Sequence, residues 1–133
     1  MDKTAEGLKD RTKRFVIAVL EFAETLPRTP ASDALVRQLT RAGIGVAGNY
    51  RGACRARSHA EFTARLGVVL EEADESELWL DVCHLKALGD ERQRATLLAE
   101  SRELVAIFSK AFVTARHNDQ ARRDRSRSRQ KPA

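Results

Sequence analysis

Apolar residues recur every three or four positions through four stretches of this chain, and proline, glycine or capping residues separate the stretches. That pattern admits amphipathic helices and leaves no segment that reads as a strand. In the first stretch Leu8, Phe15, Val19, Phe22 and Leu26 share one face at about 100° per residue, and Pro27 ends it. Thr29-Pro30-Ala31-Ser32-Asp33 opens a second helix, because either hydroxyl can cap it and Pro30 suits a first-turn position whose N–H is not needed. Ser58 and Glu61 form a capping box for a third helix striped by Phe62, Leu66, Val69, Ala73 and Leu80. Gly89 can take the left-handed conformation that closes it. Asp90 with Gln93 then opens a fourth, carrying Leu97, Leu104, Phe108, Ala111 and Ala115.

The spacing predicts helices over about 8–26, 30–55, 59–88 and 91–116. Connections of a few residues make successive helices antiparallel neighbours, so the expected fold is an all-α, up-down-up-down four-helix bundle over residues 1–116. Residues 117–133 lack apolar periodicity and are expected to form a disordered basic tail. With 133 residues, 42% of them hydrophobic, one core can form without disulfides or metal. Cys54 and Cys83 are accordingly read as reduced, buried thiols. The longest apolar stretch, Phe15 to Ala23, contains Glu21 and is far shorter than the roughly 20 residues of a membrane span. Nothing before the first helix resembles a cleavable leader, so a soluble, cytoplasmic protein is expected.

Charge is distributed more tellingly than its total of +5. Residues 34–65 hold six arginines against Glu61 alone, whereas 66–85 hold six acids and no Lys or Arg. Beyond His117 stand Arg122, Arg123, Arg125, Arg127, Arg129 and Lys131 against Asp119 and Asp124. Arg37, Arg41, Arg51 and Arg55 fall on one stripe of the second helix, with Arg57 just past its end. Spaced arginine forks can follow a phosphate backbone. The same stripe can instead be solvated or paired with the acids of helix 3. The Arg-Ser run of the tail resembles segments that bind single-stranded nucleic acid with little sequence preference, and also ordinary solubilising ends. Without an amphipathic helix or lipidation motif beside it, membrane binding is the weaker use.

Other motifs do not support chemistry. Gly43-Ile44-Gly45-Val46-Ala47-Gly48 spells a dinucleotide fingerprint, but that fingerprint needs a preceding strand, and residues 35–42 read as helix. Gly45, Gly48 and Gly52 instead make a small-residue strip that lets another backbone come close, a neighbouring helix being favoured over a nucleic-acid strand. The acids Glu71, Glu72, Asp74, Glu75, Glu77 and Asp81 lack the paired Glu-x-x-His motifs of a di-metal bundle; Asp81 with His84 is the one approach to it. His59, His84 and His117 are scattered, and no nucleophile and base can be assigned, so neither cofactor, metal nor small-molecule substrate is expected. Around the C-terminal half of helix 3, Leu78, Trp79, Leu80, Val82, Cys83 and Leu85 point in all directions. Burial on two sides is implied, and with it a subunit interface through Leu78, Trp79 and Val82, Trp79 serving as anchor.

Arg37-Gln38-Leu39-x-Arg41, Asn49-Tyr50-Arg51, Ala53-Cys54-Arg55-Ala56-Arg57-Ser58 and Glu72-Ala73-Asp74-Glu75-Ser76-x-x-Trp79-Leu80 together resemble the bacterial four-helix bundle proteins encoded by intervening sequences of 23S ribosomal RNA genes. The resemblance covers roughly Leu8 to Phe112, with Gly52 standing where Ala or Glu is expected. It implies a homopentamer, and it extends to the basic accessory variability determinant of diversity-generating retroelements, which binds nucleic acid and a reverse transcriptase. By that analogy Arg37, Arg41, Arg51 and Arg55 would line a basic surface. The expected function is a non-enzymatic, oligomeric RNA- or DNA-binding accessory protein with little base readout. The alternative is a protein-interaction scaffold in which basic and acidic faces pair between subunits.

Overall fold

The computed structural model describes residues 4–130. Four helices follow one another: α1 (Ala5–Ala23), α2 (Pro30–Cys54), α3 (His59–Leu85) and α4 (Glu91–Gln130), with no strand among the described residues. Each helix packs on the next, and a thin α1–α4 contact closes the ring, so the all-α bundle expected from the spacing is the observed architecture.

Local chemistry sets the boundaries. The Oγ1 atoms of Thr4 and Thr29 accept from Gly7 N and Ser32 N, Ser58 Oγ from Glu61 N and Asp90 Oδ1 from Gln93 N, and each bond satisfies an orphan first-turn donor. Thr4 starts α1 three residues earlier than its apolar stripe does, and the helix ends at Ala23 rather than near Leu26. Leu26 remains buried as the chain turns. Helix 3 stops at Leu85, not near residue 88. Ala87, at φ 51°, takes the left-handed position; its N–H donates to His84 O and that of Leu88 donates to Cys83 O. Gly89 is also left-handed, at φ 78°, and a Cβ there would come within 2.6 Å of Phe22, so this loop closes directly onto α1.

Val19, Phe22, Leu39, Val46, Leu66, Val69, Leu80, Leu104 and Phe108 are fully buried, each worth about 2 kcal/mol relative to exposure. Tyr50 packs tilted on Phe108, ring centres 5.3 Å apart. Across the thin seam, the buried Arg11 donates to Glu100 Oε1 at 2.6 Å and to Glu103 Oε2 at 2.7 Å, tying α1 to α4.

The largest departure from the sequence reading is at the C-terminus, where α4 does not end near Arg116 but continues to Gln130. No Gly or Pro interrupts residues 91–130, Asp119 pairs with Arg123 at 3.3 Å, and Gln120 donates to Asp124 at 3.0 Å. Arg, Gln and Ala favour helix even without an apolar face, and such i,i+4 pairs reinforce it. Lys131, counted with the tail, lies outside the described residues.

Candidate nucleic-acid interface

The acids of α3 are held from both sides. Arg41 of α2 donates to Glu75 and lies 3.8 Å from Glu72, while Arg102 of α4 lies 3.3 Å from Glu77 and 3.9 Å from Asp81. Four of the six acids therefore have intramolecular counter-charges, which leaves Glu71 and Asp74 exposed on the outward face. One stripe arginine, Arg41, is thus engaged within the subunit, as the ion-pair alternative required.

Arg37, Arg51, Arg55 and Arg57 are exposed and make no ion pair among the described residues. Glu6 is held below the usual carboxylate range chiefly by Lys9, and Arg51 contributes a weaker attraction. Beside the end of α2 stands Arg65 of α3, which the sequence reading did not place among the site residues. Its guanidinium pairs with Glu61 at 3.2 Å and rests against Gly52, where a Cβ would come within 2.7 Å of Nη1. Gly52 thus makes room for a further cation. The available signal was the Glu61-x-x-x-Arg65 spacing.

Antiparallel order gathers Arg51, Arg55, Arg57 and Arg65 with the extension of α4, whereas Arg37 lies about 21 Å along α2 from Arg51. The start of α1, the end of α2 and the start of α3 share one end of the bundle, and α4 passes through it. A ring nitrogen of His59 lies 3.2 Å from Ala115 O, and Leu8, His59, Ala115 and Asn118 line a common cavity of about 390 Å³. Arg116 stacks over Phe112 at 5.2 Å. Past Ala115, the last buried residue, fifteen more residues of helix project about 22 Å and carry exposed Arg122, Arg123, Arg125, Arg127 and Arg129. Of these, Arg123 alone is paired among the described residues, with Asp119.

The glycine strip divides in use. Gly45 faces α3, where a Cβ would lie 2.6 Å from Glu72 Oε2, an oxygen buried without a hydrogen-bond partner. Burial pushes the Glu72 carboxyl above its ordinary value, Arg41 opposes this, and Glu75 and Glu71 add to it. Gly48 is exposed, with open space where its Cβ would be. Of the residues expected at a subunit interface, Trp79 packs against the core and donates its indole N–H to Glu75 Oε1 at 3.3 Å, and Val82 is half-buried. Leu78 is 50% exposed and Leu85 75%, so these two carry the uncovered apolar area of this face. Among the described residues no three His, Cys, Asp or Glu side chains come together as a metal site, and no helix is long and apolar enough to cross a membrane.

Residues 8–110 match the profile of the family described as 23S rRNA-intervening sequence protein. The chain belongs to that family. A solved structure, described as a protein with unknown function from the S23 ribosomal protein family of Bacteroides thetaiotaomicron VPI-5482, superposes with a TM-score of 0.73 at 23% identity, over 81% of this chain and 96% of that one. At that identity the likeness concerns the fold. No curated protein matches the chain. The segment shared with the intervening-sequence family contains the α2 arginines and the α3 acids but ends at Lys110, so the basic extension lies beyond it.

Proposed function

We propose that this chain is a non-enzymatic accessory protein that binds RNA, works as a homo-oligomer, and contacts phosphates through Arg37, Arg51, Arg55 and Arg57 together with the α4 extension. The observation that carries this reading is the uneven neutralisation of charge. Arg41 and Arg102 compensate most of the acidic helix, whereas Arg37, Arg51, Arg55 and Arg57 make no ion pair among the described residues. Uncompensated exposed arginine is what binding to a polyanion uses, since each neutralised phosphate releases counterions. Contacts of this kind position a nucleic acid without reading its bases. The family's association with ribosomal RNA genes makes RNA the first polyanion to test.

The test is fluorescence anisotropy of a labelled structured RNA between 50 and 200 mM salt, conditions over which about six phosphate contacts weaken affinity by about a thousandfold. A salt-insensitive affinity, or none at low salt, removes the proposal. A scaffold reading draws on the exposed Leu78 and Leu85 beside exposed Glu71 and Asp74 on α3. Under it, salt dissociates the oligomer and releases no RNA.

A further inference from the structure

The orientation of the α4 extension is fixed by the part of the helix that is packed. Measured from Arg122 at about 100° per residue, the buried residues Leu97, Leu104, Phe108 and Ala115 lie between about 0° and 40°, and Ser101, Arg94 and Leu98 widen the buried face to about 60°, 80° and 120°. On the same scale Arg122, Arg129 and Arg125 lie at about 0°, −20° and −60°, while His117, Asp124 and Ser128 lie at about 200–240°. The face that is buried inside the bundle therefore continues past its end with Arg122 and Arg129 on it and Arg125 at its edge, beside Ser126 at about 40° and Asp119, held by Arg123, at about 60°. Asp124 and Ser128 are turned away.

That arginine face overhangs the end of the bundle, where Arg55 and Arg57 are exposed. Two basic walls result, one across the bundle end and one along the projecting helix, and they meet at a corner. A single strand offers one row of phosphates, whereas a duplex offers two, at positions fixed relative to each other.

Building on the RNA-binding reading, we infer that this corner clamps a double-helical stem, one phosphate row on the bundle end and the other on the α4 extension. The extension acts as a rigid, oriented arm. Its charge alone is not sufficient, because the angular position of the arginines decides whether they face the stem.

The experiment compares a labelled RNA hairpin stem with polyuridine of the same length, using the full chain and three variants. Arg122→Gln, Arg125→Gln and Arg129→Gln together remove the overhanging face. Arg28→Gln, Lys86→Gln and Arg92→Gln remove the same charge from the opposite end. Inserting two alanines after Gln120 keeps every charge and turns the arm by about 200°. Circular dichroism and size measurement confirm that each remains folded and assembled. The expected results are stem binding at least about tenfold tighter than polyuridine, and a loss of about tenfold or more, with a salt slope lower by about three, in the triple arm variant. The insertion should weaken stem binding comparably, and the opposite-end variant should bind as the parent does. Equal affinity for stem and polyuridine, or an insertion without effect, would overturn the clamp and leave an unoriented basic tail, with RNA binding itself intact. Absence of binding to either RNA would remove the RNA reading as well.

Discussion

Ala87 ends α3 in the left-handed position that glycine normally fills, with both reverse-turn hydrogen bonds in place. An L side chain there costs about 1 kcal/mol, so Ala87→Gly is expected to raise stability by about that amount in chemical denaturation. A loss would show that the Ala87 methyl has packing that offsets the strain. Glu72 is expected to titrate in the opposite sense to a stabilising carboxylate. Because its folded value is raised by burial, the stability it contributes is present at pH values below about 4.5, its ordinary value, and is lost as pH rises through the raised one. Above that range the ionised group, with one oxygen buried and unbonded, works against the fold. Glu72→Gln should therefore be more stable than the parent by about 1 kcal/mol at pH 7, with the gap closing towards pH 4. Melting curves across that range check it, and a variant less stable at pH 7 would mean that the Arg41 attraction outweighs burial.

At the scale of elements, the four helices were legible because apolar spacing and capping residues are local properties. Ser58 with Glu61 and Asp90 with Gln93 cap where the sequence places them. The stop of α3 was assigned to Gly89 because glycine is the usual left-handed residue; Ala87 took that role through tertiary closure of the loop on Phe22, which no local pattern records. The continuation of α4 was hidden for a different reason. A helix without an apolar stripe has no periodic signal, and only the lack of breakers and the spaced pairs of Asp119 with Arg123 and Gln120 with Asp124 mark it. The α2 arginine stripe was legible, but which of its members are neutralised depends on how α3 sits against α2, so the capture of Arg41 was not. A chain ending at Arg116 tests the extension. If residues 117–130 are helical, truncation should leave the mean residue ellipticity near 222 nm nearly unchanged, whereas a rise of about a tenth would mean that uncoiled residues had been removed.

Across the whole molecule, antiparallel topology converts two separate stretches of basic sequence into one end of one bundle. Arg55 and the α4 extension are more than sixty residues apart in the chain, yet His59, four residues past Arg55 at the start of α3, meets Ala115 of α4. The opposite arrangement, with the extension leaving from the other end, would have divided the charge and weakened any case for a shared ligand. The most direct measurement is RNA anisotropy on the full chain beside a variant carrying Arg37→Gln, Arg51→Gln, Arg55→Gln and Arg57→Gln, with both proteins shown to have the same helicity and subunit number. Among the described residues none of these four side chains is in an ion pair, so stability should change by less than about 0.5 kcal/mol each. Affinity for a structured RNA should fall by about a hundredfold or more at low salt, with a slope against salt shallower by about four. Unchanged affinity in a folded, correctly assembled variant would contradict an RNA site on the bundle itself.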